Sequence, residues 1–413
     1  MAGGKNRLIS EIGLALRNLS RNANRTLVAV ATIASGVIAY LLAGGFIEWV
    51  LDADREGAIH SQLGHAQIVR PGFFDKGIAD PYAFLLPADS REFENLAKTS
   101  GVNTITQRLV FSGLISRGDT TLAFSGEGID PVRERPLATA IDVFKGKDLS
   151  AIDERKVLLG EGLANSLGAA PGDSVVLLTS TATGSPSAIE VVVAGIFVTP
   201  SKEYDDYAIR LPLEAARKLM RVTGATSWVV LLDETPRTQD FVAAARTRLP
   251  SDNFEIVPWR DLADFHNKTE ALFTKQVWVV KIIIGLIIVL TIANTLTMSV
   301  MERTFEIGSS FAMGVRRWVV MRMFVLEALL LGMIGGALGV VIGYLLALGI
   351  SAIGIPMPPP PGMTQGFDAE IIVTPGLMWD AVFLSLLTTL IAGVMPAWKA
   401  GHMNIVDALR YNQ

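Results

Sequence analysis

The 413-residue sequence contains no cysteine, so neither a disulfide framework nor a thiolate metal site can be built from it. Histidine is nearly as scarce. His60, His65, His266 and His402 are the whole set, and no two stand at a helical metal-ligand spacing, which argues against zinc. His60 and His65 read as surface or loop residues. Charged residues are 18% of the chain and the net charge is -4, so no basic surface for nucleic acid is expected. No G-x-x-x-x-G-K-[ST] phosphate loop occurs, and Gly146-Lys147 lacks its context. No nucleophile–base arrangement stands out. The chain is therefore expected to bind no cofactor and to perform no chemistry by itself.

What the sequence has is apolar length. Half of its residues are hydrophobic, and residues 27–47 form an uncharged run that meets the ~20 residues a bilayer core requires. Further spans are expected at 277–300, 320–350 and 377–398. The first 26 residues carry Lys5, Arg7, Arg17, Arg21 and Arg25 against Glu11, while Leu8, Ile12, Leu16 and Leu19 recur at helical spacing. This predicts an in-plane helix over 1–26 on the cytoplasmic face, with membrane lipid as its partner. A cleavable signal peptide is the competing reading, but no A-x-A site follows the run. Lysine and arginine crowd the arm, the 302–322 segment and the 399–413 tail, and are absent from 351–376. By the positive-inside rule both termini face the cytoplasm, and 48–276 and 351–376 lie outside.

The outer segment is too long for a loop. Alternating apolar stretches at 67–69, 104–116, 121–126, 174–178, 189–197 and 228–232 read as strands, and 91–98, 213–221 and 239–249 as helices. The expected fold class is thus a four-helix membrane protein with a large α+β extracytoplasmic domain between spans 1 and 2. Residues 259–284 contain no Pro or Gly and predict one rod, about 60 Å long at forty residues, running into the second span. A break near Lys275 is the alternative. Gly332, Gly335, Gly336, Gly339 and Gly343 give three overlapping G-x-x-x-G spacings in the third span, read as close helix packing within one chain. Glu327 and Asp380 are expected to stay hydrated near the interfaces, Lys281 to snorkel outward, and Asn294 to bond a neighbouring helix. M-P-P-P-P-G-M at 357–363 is a stiff spacer.

Residues 302–317, E-R-T-F-E-I-G-S-S-F-A-M-G-V-R-R, form a charged, helix-length piece between two spans (301–319 as a cytoplasmic helix). Glu302 and Glu306 share a face, as do Arg303 and Ile307. An amphipathic turn on the headgroups and a docking element both fit. The pattern E-R-x-x-E-I-G-x-x-x-A-x-G closely resembles the coupling segment of the FtsX-like permease family, which includes MacB-type and LolC/LolE-type ABC transporter subunits. The ending P-A-W-K-A-G-H-M-N-I-V-D-A-L-R at 396–410 is similar to that family's, with Ile405 where proline is usual. L-L-G-E-G-L-A-N-S-L-G-A-A-P-G-D-S-V at 158–175 resembles MacB-type outer domains, with Gly168 and Gly172-Asp173 in turns.

The resemblance implies a bacterial inner-membrane permease subunit whose ATPase is a separate chain carrying ATP and Mg. Glu302, Arg303, Glu306, Ile307, Gly308, Ala312, Met313 and Gly314 would couple to that ATPase dimer. It also implies a second permease copy, identical or related, and allows for a periplasmic carrier or adaptor. An outer lobe near 135–205 would be inserted into a porter-like lobe. The four-span layout looks most like LolC/LolE, which release lipoproteins, so a hydrophobic cargo such as lipoprotein or lipid is expected. The segment 178–190, L-T-S-T-A-T-G-S-P-S-A-I-E, departs from the longer basic hook of LolC-type chains. The alternatives are a MacB-like export subunit of a tripartite system, an FtsX-like regulator of a periplasmic hydrolase, and a passive sensor.

Overall fold

The computed structural model describes residues 13, 15, 17–21, 23–77, 80–150, 153–358 and 367–404. Leu8, Ile12 and Leu16 of the N-terminal stripe, most of the polyproline spacer and the tail from Ile405 lie outside them. The chain divides into a helical unit (Met1–Leu51, Glu270–Ile355, Asp368–Gln413) and a sheet unit (Asp52–Thr269, Pro356–Phe367).

Among the described residues four helices are long and apolar enough to cross a membrane. They are α1 (Ala23–Ala58), α2 (Asp264–Glu302), α4 (Arg317–Ile353) and α5 (Pro375–Gly401), with the short α3 (Thr304–Ala312) between α2 and α4. The 39 residues of α2 make it about 60 Å long, roughly twice a bilayer core. No break occurs near Lys275. The rod does begin later than the sequence suggests: Trp259–Leu262 is a separate turn, and Ala263 leaves the helix at φ -85° and ψ 59°. Trp259 is buried against Ile59, Val229 and Leu231, so packing on the sheet overrides helix continuity there. α5 starts sharply because Thr374 accepts a hydrogen bond from the Leu377 N–H at 3.2 Å and Pro375 follows it.

Close packing in the helical unit rests on the glycines of α4, which serve two faces. A Cβ on Gly335 or Gly339 would lie 2.7 Å from Ile33 or Val37 of α1, and one on Gly343 would lie 3.0 Å from Leu41. On the other face Gly332 and Gly336 meet Thr389 and Ser385 of α5, and the Ser385 hydroxyl donates to the Gly332 carbonyl at 3.2 Å. Two charged expectations change. Glu327 is buried at 2% exposure, not hydrated. Lys281 does not snorkel; it pairs with Asp380, which also accepts from the Tyr40 hydroxyl at 2.7 Å. An ion in hydrocarbon is satisfied most cheaply by an opposite charge within reach. Asn294 lies on the exposed side of α2.

The sheet unit is built on β2 (Val102–Arg117). With β1 (Ala66–Val69), β3 (Thr120–Ile129), β4 (Asp142–Gly146), β5 (Lys156–Gly160), β6 (Ser174–Ser180), β7 (Pro186–Val198), β8 (Ala208–Pro212), β9 (Ser227–Leu232) and β10 (Glu255–Pro258), it forms one sheet in the order β10-β1-β9-β2-β3-β8-β5-β7-β4. Because β6 pairs both β2 and β7, strands β2, β3, β8, β5, β7 and β6 close into a ring. Its interior holds Leu109, Ile115, Val157, Leu177, Val193 and Ile209. The first half of β2 instead pairs β9, and there Ile68, Ile105, Trp228 and Val230 pack under the helices Arg91–Ala97 and Thr238–Arg248. The ring draws in β2, β3 and β8, so it is wider than an inserted 135–205 lobe. Gly168 caps the helix Glu161–Leu167 at φ 64°, and Gly172 turns at φ 99°.

Candidate coupling site

α2 ends at Glu302 and the chain bends at Arg303 (φ -100°, ψ 15°) before α3 begins. Thr304 steadies the bend by donating its hydroxyl to the Met301 carbonyl at 2.7 Å. The bend sends the Arg303 guanidinium inward, where it meets Glu327 of α4 at 3.1 Å and the Asn18 carbonyl at 3.2 Å. Glu327 also accepts from the Asn18 side-chain amide at 2.7 Å. Ile307 and Phe311 bury beside Val300, Val320, Phe324, Ala397 and Ala400, and Gly308 is buried with them. Gly314, at φ 91°, stops α3, and its N–H bonds the Phe311 carbonyl at 3.0 Å.

The other face of α3 points out. Glu302 and Glu306 are about half exposed, Phe305 is 49% exposed and Met313 79%. Ala312 and Gly314 are exposed beside them. Arg25 pairs with Glu302 at 2.5 Å and Arg21 with Glu306 at 2.8 Å. Of the eight residues singled out from the sequence, Arg303, Ile307 and Gly308 therefore lie inside, and Glu302, Glu306, Ala312, Met313 and Gly314 lie outside. The pairings with Arg21, Arg25 and Glu327 were missed. The basic spacing of 17–25 ahead of an acidic pair carries a faint signal of the first two, but nothing local marks the third.

A second ionic cluster, also unread in the sequence, sits in the sheet unit. Arg108 of β2 and Arg210 of β8 are 3% and 1% exposed and face Glu127 of β3 and Glu134. Arg108 bonds Glu134, and Arg210 reaches Glu127 at 3.0 Å. The same arginines donate to the Gln62 and Ser61 carbonyls, in the turn Ile59–Leu63 that follows α1. Burial pushes the Glu127 carboxyl up, but Arg108 and Arg210 outweigh it and hold it below the usual range. Nearby, Asp54 of α1 meets His266 of α2 at 2.8 Å. His65 is buried, not at the surface as expected: its Nδ1 accepts from the Leu232 N–H at 3.0 Å, and burial pushes it down to about 4. No group of His, Asp and Glu among the described residues could hold a metal ion.

Two family models match this chain. Residues 26–248 match the MacB-like periplasmic core domain, and residues 278–405 the FtsX-like permease C-terminal. The chain belongs to the FtsX/MacB-type ABC permease family. Among its relatives, the lipoprotein-releasing system transmembrane protein LolC of Xylella fastidiosa is 26% identical, over 69% of this chain and 72% of that protein. An uncharacterised ABC transporter permease of Methanocaldococcus jannaschii is 22% identical over 98% of this chain and 99% of its own length. The macrolide export ATP-binding/permease protein MacB of Rhodospirillum rubrum is 25% identical over 96% of this chain, which spans 59% of that longer protein. The FtsX/MacB-type permease is thus a membrane protein with four apolar helices and a MacB-like domain between the first two.

Proposed function

We propose that this permease converts ATP hydrolysis on a separate cytoplasmic ATPase dimer into movement of its sheet unit, which works on a hydrophobic cargo such as a lipoprotein or lipid. Both termini and α3 face the cytoplasm in this reading, the sheet unit faces outward, and two permease copies sit over the ATPase pair. The carrying observation is the split of α3 and the residues that flank it: Arg303, Ile307 and Phe311 are locked inside, while Glu302, Phe305, Glu306 and Met313 are presented outward. A helix that only rested on headgroups would have no need of an exposed acidic pair beside two exposed apolar knobs. The length of α2 supports transmission, since one unbroken helix carries residues of both units. Hydrophobic cargo is supported by the helical unit, where Lys281 and Asp380, and Arg303 and Glu327, are paired with each other.

The test is reconstitution with the cognate ATPase. Glu302→Lys with Glu306→Lys should leave thermal unfolding within about 1 kcal/mol of the parent, because exposed pairs contribute little. ATPase stimulation by the permease should fall at least tenfold. Undiminished stimulation would overturn the docking assignment.

A further inference from the structure

The outer surface of the ring carries a feature that nothing in the coupling mechanism uses. Side chains alternate across a strand, and on β6 Val175, Leu177 and Thr179 point in while Val176, Leu178 and Ser180 point out. Leu178 is 41% exposed and Leu114 of β2, its cross-strand neighbour, is 47% exposed. Ala188 of β7 sits opposite Leu178 on the other side. Together they floor a trough of about 950 Å³ whose wall is Phe73, Phe74 and Tyr82. The wall is fixed: Phe73 packs edge-on against Phe74 at 5.2 Å and Phe84 at 6.3 Å, and Gly77 lies too close to Phe73 to admit a Cβ.

The lining is uncharged. Every residue described around the trough is apolar, a hydroxyl residue or glycine. The Thr179 hydroxyl already donates to the Ser112 carbonyl at 2.8 Å, and burial pushes the Tyr82 phenol up to about 12, so it stays neutral. A carboxylate or phosphate buried here would find no cation to offset its lost hydration. The volume and the aromatic, weakly polar walls are those of a small-molecule site. The floor comes partly from the hairpin 178–190, which has no arginine with which to grip an acidic partner.

We propose that this trough holds the hydrocarbon chain of an amphiphile whose head is attached through an uncharged ester, amide or thioether linkage; this deepens the proposed function and rests on its hydrophobic cargo.

The probe is a diazirine-bearing methyl palmitate, photolysed with the full chain and its ATPase in nanodiscs, with labelled peptides mapped by mass spectrometry. Peptides bearing Phe74, Leu114 and Leu178 should be labelled, and unlabelled methyl palmitate should displace the label. Leu114→Glu with Leu178→Glu should reduce trough labelling at least tenfold while labelling of α1 to α5 is unchanged, which also reports an intact helical unit. Because both positions are exposed, Leu114→Ser with Leu178→Ser serves as a milder second variant, expected to lose several-fold. Labelling confined to the membrane helices, or trough labelling that neither variant reduces, overturns the trough. Equal displacement by an anionic amphiphile with no ester overturns the uncharged-linkage assignment. ATPase stimulation is read in the same samples: stimulation with an unlabelled trough sinks this site alone, whereas a labelled trough without stimulation sinks the coupling reading alone.

Discussion

The ionic cluster of the sheet unit and the ionic links around α3 use the same residue types to opposite ends. Arg108, Arg210 and Glu134 are all under 4% exposed, and each guanidinium is shared between a carboxylate and a main-chain carbonyl. Around α3, among the described residues, only the Arg303–Glu327 pair is buried, while Arg21, Arg25, Glu302 and Glu306 are 42–59% exposed. A buried pair that loses one partner leaves a charge with no solvent, whereas an exposed pair exchanges its partner for water almost freely. The first arrangement fixes shape. The second leaves Glu302 and Glu306 able to trade Arg21 and Arg25 for a visiting cation, one residue away from an arginine that cannot move.

The comparison breaks most visibly if the sheet cluster tolerates a deletion. Arg210→Met should cost about 3–5 kcal/mol, because Glu127 and Glu134 keep their charge while one of two cations is gone. Denaturant unfolding of the full chain, followed by tryptophan fluorescence with the fully buried Trp228 as a reporter, measures it. Adding Glu127→Gln should recover a large part. A near-parent midpoint for Arg210→Met would mean that water enters the cluster.

Arg303→Met sharpens the contrast inside α3 itself. Glu327 keeps its bond from the Asn18 amide, so the cost should fall at the low end of about 3–5 kcal/mol, and Arg303→Met with Glu327→Leu should be far milder. Measured unfolding that ranks the double variant below the single would contradict a buried pair.

What the sequence shows of all this follows from range. Apolar runs and α2's long stretch without Pro or Gly are local, and they read directly as spans. Strands with an alternating face, such as β6 with its in-out pattern, are equally local. β5 and β8 are buried at four of five and five of five positions and so carry no alternation. β9, equally buried, is legible only because its run W-V-V-L-L is aromatic and β-branched, whereas K-V-L-L-G and A-I-R-L-P each carry a cation and end in Gly or Pro. Arg210 is the one trace, a lone cation in the apolar run A-I-R-L-P. Spacing alone pairs Glu302 with Glu306, although the bend at Arg303 puts them on successive helices, and Arg303's partner lies on a third, a helix–helix register that is not written in any window. His65 shows the same limit: a histidine at a helix-to-strand junction reads as surface until β9 is seen to cover it.

Within α4 the glycines offer a smaller test. Gly339→Ala places a Cβ 2.7 Å from Val37 and should cost about 1–3 kcal/mol. Gly349 meets nothing within 4 Å, so Gly349→Ala should be neutral or stabilise by about 0.5–1 kcal/mol through helix propensity. Thermal unfolding that fails to separate the two would remove close packing as the reason for the spacing.

The mildest effects concern pH, and here two buried groups of the sheet unit oppose each other. Burial holds His65 down to about 4, so in the folded chain it stays neutral where the unfolded histidine takes up a proton. Its contribution is complete above its ordinary value of 6.5 and is lost as pH falls from there towards 4. Burial holds Asp205 up to about 6 despite its bonds from the Thr199 N–H and hydroxyl. A carboxyl raised in the folded state contributes fully below its ordinary 3.8 and loses that contribution as pH rises through about 6. Between about pH 4 and 6 the parent therefore adds a rising and a falling slope. His65→Gln should remove the rising one, so the stability gap between parent and variant widens with pH across that window. Asp205→Asn should remove the falling one, so its gap moves the opposite way. Denaturant midpoints of the full chain at pH 4.5, 5.5 and 6.5 decide it, and two gaps that move in the same direction would mean that at least one of these groups is solvated.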